Sequence, residues 1–146
     1  MIQSGLSAFV AALGFGVIFN IRGIKLIVAA LIGGVGGFTY ALALSFNVSE
    51  AVSLLFGATC MSIAAELASR KFKTPVTTFM VCALIPLVPG GSMYYTMIEV
   101  VKGNIYEALV LGTQTIMAAG ALALGCTLVS STTRFYYKMK MKVKNT

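Results

Sequence analysis

The sequence contains no histidine and no aspartate, and it has only four acidic residues. The four are Glu50, Glu66, Glu99 and Glu107. Histidine and the carboxylates supply most metal ligands and most general acids and bases in proteins, so their scarcity argues against a metal site and against an enzyme. We therefore expect no enzymatic activity, no bound metal and no cofactor. The three cysteines all lie inside apolar runs and are interpreted as small buried hydrophobic residues.

Apolar residues are abundant in this chain. Its 146 residues are 58% hydrophobic and 10% charged, with a mean hydropathy of +0.92. This composition is typical of a protein embedded in lipid. An α-helix needs about 20 residues to cross a hydrocarbon core of about 30 Å, and the chain divides into five apolar segments of roughly that length. We predict an all-α integral membrane protein with about five transmembrane helices.

The predicted organisation is one transmembrane helical domain, residues 1–133, followed by a basic tail, residues 134–146. The predicted spans are about 2–19, 26–45, 50–69, 74–98 and 105–133. The first span has neither the basic start nor the cleavage site of a signal peptide, so we expect it to remain in the mature protein.

The basic residues alternate between the predicted loops. Arg22 and Lys25 lie in the first loop, Arg70, Lys71 and Lys73 lie at the third, and the tail holds Arg134 and four lysines. Because cytoplasmic loops carry an excess of Lys and Arg, this pattern predicts an outside N-terminus and a cytoplasmic C-terminus. We interpret the net charge of +7 as a product of this topology and of attraction to anionic lipid, and we expect no nucleic-acid binding. The predicted location is the bacterial cell membrane.

The second span contains a run of small residues, "GGVGG", from Gly33 to Gly37. Small residues spaced by four allow two membrane helices to approach closely. We expect this run to pack against a neighbouring helix, in the same subunit or in another one.

Polar residues recur on one face of the third span. Thr59, Ser62, Glu66 and Ser69 are spaced by three, four and three positions, which places them on the same side of a helix. Since polar side chains avoid lipid, this face is expected to point inward. Glu66 has two interpretations: a proton or coupling site, or one half of an ion pair with Arg70 four residues later. We favour the ion pair.

A second polar cluster, residues 113–115, lies within the fifth span and centres on Gln114. Its amide either bonds across helices or contacts a ligand, and packing is the favoured interpretation.

The stretch "LIPLVPGGSMYY", residues 84–95, interrupts the fourth span with two prolines and two glycines. Pro86 and Pro89 have no N–H and clash with the preceding helical turn, so they leave backbone groups that lipid cannot satisfy. Counted from Thr74 along a helix, the two prolines lie about 18 Å and 22 Å into a core of about 30 Å. We predict that the fourth helix is broken between Pro86 and Gly91.

A break of this kind creates the start of a new half-helix inside the membrane. Gly90, Gly91 and Ser92 would present unpaired N–H groups there, at the positive end of a helix dipole, which suits a carboxylate. Transporters with discontinuous helices bind substrate in such places. The alternative is a simple proline kink, which neighbouring helices accommodate. We favour a substrate site formed by residues 86 and 89–92.

Two stretches carry a resemblance to a known family: "GFGVIFNIRGIKLIVAALIGGVGGFTYAL" and "AAELASRKFKTPVTTFMVCALIPLVPGGSMYYTM". Together with the motif "IPLVPGG" at residues 85–91, they resemble the small membrane subunit of the threonine/serine exporter family, in its two-protein form. The chain is also similar to the small subunit of a proposed bacterial succinate exporter. The resemblance extends over nearly the whole chain.

The resemblance implies export of threonine, serine or a small dicarboxylate such as succinate, driven by the proton-motive force and carried out with a larger membrane partner. It assigns the substrate site to Pro86, Pro89, Gly90 and Gly91, and more weakly to Glu66 and Arg70. Thr59, Ser62 and Gln114 remain candidates for a polar lining. The alternative function is a structural or gating subunit whose partner alone binds substrate. Association of several copies of this chain also remains open.

Overall fold

A computed structural model describes residues 2–144, and those residues form helices and short connections without any strand. The helices are α1 (Ile2–Ile18), α2 (Ile24–Ser45), α3 (Glu50–Lys71), α4 (Val76–Leu84), α5 (Gly90–Val101) and α6 (Ile105–Lys144). A single 3-10 turn, Ile85–Leu87, follows α4. The all-α fold predicted from the sequence is confirmed.

Three of these helices are long and apolar enough to cross a membrane: α2, α3 and α6 as far as Tyr137. The segment from Val76 to Val101 forms a fourth candidate span, which is bent by 50° at the predicted break. Helix α1 is apolar and has 17 residues, the lower limit for a transmembrane helix. The predicted total of five spans is therefore reached only when α1, which has the minimum length for a span, is counted.

The first four helices form a bundle in which α4 is the central element. Helix α2 packs against both α1 and α3, and α4 contacts all three. Three residues of α4, Phe79, Cys82 and Ala83, are completely buried against Ala29 of α2 and Met61 of α3, among others. The helix connections distinguish the two ends of the bundle. The α2–α3 end holds residues 46–49, and the α1–α2 end holds residues 19–23 together with the α3–α4 connection.

Glycines set the closest helix contacts. A Cβ atom built on Gly33 would lie 2.5 Å from the Cβ of Ala12, and one built on Gly37 would collide with Ala8. The run Gly33–Gly37 thus packs against α1 of the same chain, as one of the two predicted alternatives has it.

Helix α6 runs alongside α3 in the same direction. Gly125 packs against Ala58, and Tyr137 packs against Arg70, so both contacts join residues 67 positions apart (125 from 58 and 137 from 70). At this register the start of α3 is level with residue 117 of α6. About 12 residues of α6, about 18 Å of helix, therefore extend past the start of α3.

The extending part of α6 packs against α5, which completes a hairpin. No residue of α5 is buried, and the described contacts of α5 are mainly with α6. We call residues 90–116 the α5–α6 hairpin. Helix α6 also continues through most of the predicted basic tail, as far as Lys144. The last two tail residues, Asn145 and Thr146, lie outside the described part of the chain.

Candidate functional site

The fourth span breaks because the chain cannot continue an α-helix through its two prolines. Helix α4 ends at Leu84, Pro86 lies within the 3-10 turn, and Val88 has an extended backbone with φ −62° and ψ 133°. Pro89 then caps the start of α5 at Gly90. The break therefore occupies the predicted stretch, and it combines a change of helix type with a bend.

Leu87 anchors this break to the bundle. Its side chain is 4% exposed and fills a notch between Gly36 of α2 and Gly57 of α3. A Cβ on Gly36 would lie 2.8 Å from Leu87 Cδ1, and one on Gly57 would lie 3.2 Å from Leu87 Cδ2. Leu87 is thus level with Gly57, which is two helical turns, about 10 Å, from the first residue of α3.

A cavity of about 230 Å³ lies beside the break at the α2–α3 end. All five residues of the predicted substrate site line it: Pro86, Pro89, Gly90, Gly91 and Ser92. Five further residues line it: Leu87 and Val88 within the break, and Tyr40 of α2 and Glu50 and Leu54 of α3, which sequence reasoning did not place there. We call this space the break cavity. Its volume is enough for several water molecules or for one small metabolite.

The first turn of α5 presents backbone donors at this cavity. Met93 N donates to Pro89 O at 3.2 Å, and Gly90 N donates to Val88 O at 2.7 Å. Within residues 2–144 no backbone hydrogen bond has Gly91 N or Ser92 N as its donor. Two N–H groups at the positive end of a 12-residue helix are therefore available to an acceptor such as a carboxylate.

Gly90 and Gly91 differ from the glycines that pack the bundle. A Cβ built on either residue meets nothing within 4 Å, and neither residue has a positive φ. Helix contacts and backbone conformation within the described chain therefore do not require glycine at these positions. Because these two residues have no side chains, the N–H groups at the start of α5 stay open to a ligand.

A second cavity, of about 320 Å³, adjoins the break cavity on its α1 side. The two cavities share Tyr40, Pro86 and Leu87, and the second one adds the hydroxyl-bearing residues Ser4 and Ser7 of α1. Tyr40 therefore lies where the two cavities meet, and its side chain is half-buried.

The polar face of α3 points inward but does not reach the break cavity. Ser62, Glu66 and Ser69 are buried and Thr59 is half-buried. Thr59 Oγ1 donates to Leu55 O at 2.7 Å, so its hydroxyl is satisfied within its own helix. Ser62 is fully buried, and its hydroxyl has no hydrogen-bond partner in the described residues.

Glu66 forms the ion pair that the spacing predicts. Arg70 Nη2 donates to Glu66 Oε2 at 3.1 Å. The guanidinium of Arg70 also lies over the ring of Tyr137, 3.5 Å from its centroid. The pair therefore connects α3 to α6 by a cation–π contact at the α1–α2 end of the bundle, at the opposite end from the break cavity.

Gln114 lies on the exposed surface of α6, in the part that extends past the start of α3. Its neighbours Thr113 and Thr115 donate their hydroxyl protons to backbone carbonyls of α6. The side chain of Gln114 faces away from the bundle, so any partner of its amide lies outside the helices that surround the break cavity.

Comparison with known proteins finds a family profile and a curated relative that match this chain. A family profile described as "Threonine/Serine exporter, ThrE" matches residues 4–132. An uncharacterized protein of Haemophilus influenzae is 28% identical over 97 residues, which cover 66% of this chain and 33% of that protein. The chain thus matches about a third of the length of this curated relative. No solved structure matches the chain.

Proposed function

The chain belongs to the threonine/serine exporter family, and on that premise we propose that it is a membrane subunit of a secondary transporter that exports threonine or serine. It is a multi-pass membrane protein, and its break cavity is the proposed binding place for the cargo. The proposed energy source is the proton-motive force, and the proposed orientation has the N-terminus outside and the C-terminus in the cytoplasm.

One observation carries the proposal: the break cavity combines an acidic side chain with the N-terminus of a half-helix. Glu50 lines the cavity from α3, and Gly91 and Ser92 line it from the first turn of α5. A free amino acid has a carboxylate and an ammonium group. The N–H groups of Gly91 and Ser92 suit the carboxylate, and the carboxylate of Glu50 suits the ammonium group.

The same arrangement favours an amino acid over a dicarboxylate. Succinate has two carboxylates, and the second one would meet the like charge of Glu50 without a basic residue among the cavity-lining side chains. A dicarboxylate such as succinate therefore ranks second as cargo. Tyr40 supplies a hydroxyl that can bond the side-chain hydroxyl of threonine or serine.

A larger membrane partner completes the proposed transporter. The α5–α6 hairpin exposes large apolar side chains, including Tyr95, Met97, Tyr106 and Leu109, and it extends past the start of α3. A Cβ built on Gly90 or Gly91 meets no described residue within 4 Å. The Haemophilus relative is about three times as long as its matched region, so that protein has a further part outside the match. We place the partner on the hairpin, where it would close the break cavity.

The alternative is that this subunit scaffolds or gates a partner that alone binds substrate. The open space at Gly90 and Gly91 favours it, because a partner helix rather than cargo can occupy that space. In that case Glu50 would have no effect on the choice of cargo.

The test is an export measurement in bacterial cells that lack their own threonine exporters. The cells are loaded with a threonine-containing dipeptide, and threonine release is followed with this chain and the larger membrane protein of the same family supplied together or singly. We expect faster release only when both are present. If release with both proteins equals release without them, the proposed function is wrong.

Photocrosslinking tests the proposed place of the partner. A photoreactive residue at Leu109 of the hairpin is expected to capture the partner protein, whereas one at Leu128, similarly exposed but level with α3, is expected not to. Capture from Leu128 alone would place the partner elsewhere on α6.

A further inference from the structure

A further open cavity lies at the α1–α2 end of the bundle, away from the break. It has a volume of about 570 Å³. Its walls are the connection between α1 and α2, residues 19–22, together with Lys25, Thr74 and Thr78. We call this space the basic cleft. None of its lining residues belongs to the break cavity.

The basic cleft carries positive charge that its own walls do not balance. Arg22 and Lys25 line it, and no glutamate does. Glu66 is paired with Arg70 and Glu99 with Lys102, while Glu50 lines the break cavity. Two cations in one concave surface attract an anion, and the hydroxyl of Thr78 adds a donor.

The guanidinium of Arg22 forms a hydrogen bond within the α1–α2 connection. Its Nε donates to Asn20 Oδ1 at 2.9 Å, and Asn20 has a left-handed backbone with φ 57° that turns the chain at this point. The bond uses the Nε–H group and leaves the Nη groups available to a ligand. A planar fork of this kind matches the oxygens of a phosphate group.

Apolar side chains border the same cleft. Phe19 lines it and is 50% exposed, and Val17 and Ile18 of α1 beside it are 58% and 73% exposed. A soluble amino acid would place its ammonium group against Arg22 and Lys25 without a carboxylate to receive it. A phospholipid fits both features, because its phosphate suits the two cations and its acyl chain suits the exposed apolar surface of α1.

We propose that the basic cleft is a binding site for an anionic phospholipid, with the phosphate on Arg22 and Lys25 and an acyl chain along Phe19 and Ile18. The site rests on the membrane location of the chain and on the geometry of the cleft, and it does not depend on the proposed cargo. Its ligand class is a phosphodiester with a lipid tail.

The test is native mass spectrometry of the full chain in mild detergent, with palmitoyl-oleoyl phosphatidylglycerol or phosphatidylcholine added. We expect the chain to retain phosphatidylglycerol in preference to phosphatidylcholine. The double variant Arg22→Gln/Lys25→Gln is expected to bind phosphatidylglycerol about 30-fold more weakly, since two basic residues at a lipid surface are removed. Thr78→Asp, which adds a negative charge to the wall of the cleft, is expected to lower the same affinity.

The matched control is Lys71→Gln/Lys73→Gln, which removes two positive charges from the same end of the bundle but outside the cleft. This control is expected to keep its affinity within about threefold. An equal loss in both double variants would mean general attraction to charge and would overturn the site. Equal retention of the two lipids would also overturn it. Displacement of phosphatidylglycerol by millimolar inorganic phosphate would assign the cleft to a free anion instead.

Discussion

Glu50, the first residue of α3, lines the same cavity as Gly91, the second residue of α5. Both residues border this cavity because Leu87 fills the notch between Gly36 and Gly57 and so fixes the break against α2 and α3. An acidic side chain and the positive end of a half-helix therefore face one small space. That arrangement suits a molecule with one positive and one negative group, and it leads to the following predictions.

Replacing Gly91 by leucine is expected to reduce export strongly without unfolding the chain. A Cβ built at this position meets no atom within 4 Å, so the start of a side chain is accommodated, and the rest of the leucine is expected to cover the N–H groups of the first turn of α5. We expect threonine export to fall by about tenfold or more, the effect of losing one hydrogen bond to a charged group. Export from cells and the amount of chain in the membrane are measured together.

The control for this variant is Gly37→Leu. A Cβ at Gly37 collides with Ala8, so here the expected result is a lower amount of folded chain in the membrane. Normal export by Gly91→Leu at a normal membrane level would remove the break from the transport site.

Replacing Glu50 by glutamine is expected to change the choice of cargo. The neutral amide no longer attracts an ammonium group and no longer repels a second carboxylate. We expect threonine export to fall by about tenfold, while export of succinate stays the same or rises. Parallel measurements with the two cargoes give the ratio of threonine export to succinate export, which is expected to fall in Glu50→Gln. Glu107→Gln, which removes a carboxylate outside the cavity, is the control, and an unchanged ratio in Glu50→Gln would contradict the assignment of this residue.

The Glu66–Arg70 pair is expected to act on stability rather than on proton coupling. Replacing Arg70 by glutamine leaves Glu66 buried without its partner and removes the contact with Tyr137. We expect a loss of about 1–3 kcal/mol in unfolding free energy, measured by denaturation in detergent. The double variant Glu66→Gln/Arg70→Gln is expected to recover part of it. A Glu66→Gln variant that folds normally yet loses the pH dependence of transport would show that the carboxylate carries protons.

Replacing Ser62 by alanine is expected to leave the fold intact or to stabilise it by about 1 kcal/mol. Its buried hydroxyl has no hydrogen-bond partner in the described residues, so removing it relieves an unsatisfied polar group. Thermal unfolding in detergent checks the stability, and Ser53→Ala serves for comparison because Ser53 Oγ donates to Ser49 O. If Ser62→Ala keeps its stability but loses transport, the hydroxyl holds a water molecule or an ion during the transport cycle.

Local chemistry made much of this fold predictable from the sequence. The lengths of the apolar runs indicate the helices, and Pro86 and Pro89 indicate the break because their effect on a helix is purely local. The spacing of Gly33 and Gly37 indicates a close helix contact, and the spacing of Glu66 and Arg70 indicates their ion pair. Each of these features depends on residues that are near one another in the chain.

The rest depends on how distant segments pack. Tyr40 and Glu50 reach the break cavity only because Leu87 fits between glycines of two other helices, and no local pattern marks Gly57 as one side of that notch. Hydropathy indicates the apolar part of α6, but neither its continuation to Lys144 nor its register against α3, so the α5–α6 hairpin could not be inferred. The charge of the loop at Arg22 indicates topology, but the cleft that this loop lines forms only when α2 and α4 pack beside it.

The most direct test of the central claim is protection of Ser92 by cargo. Ser92→Cys is made in a variant whose three native cysteines are replaced by serine or alanine, and its alkylation by a maleimide is followed in membranes that also contain the partner. Because Ser92 lines the break cavity, we predict that threonine slows its alkylation more than succinate does, and that neither affects Phe46→Cys, which is exposed in the α2–α3 connection and lies outside both the cavity and the hairpin. Equal alkylation rates with and without threonine would contradict the assignment of the break cavity as the cargo site.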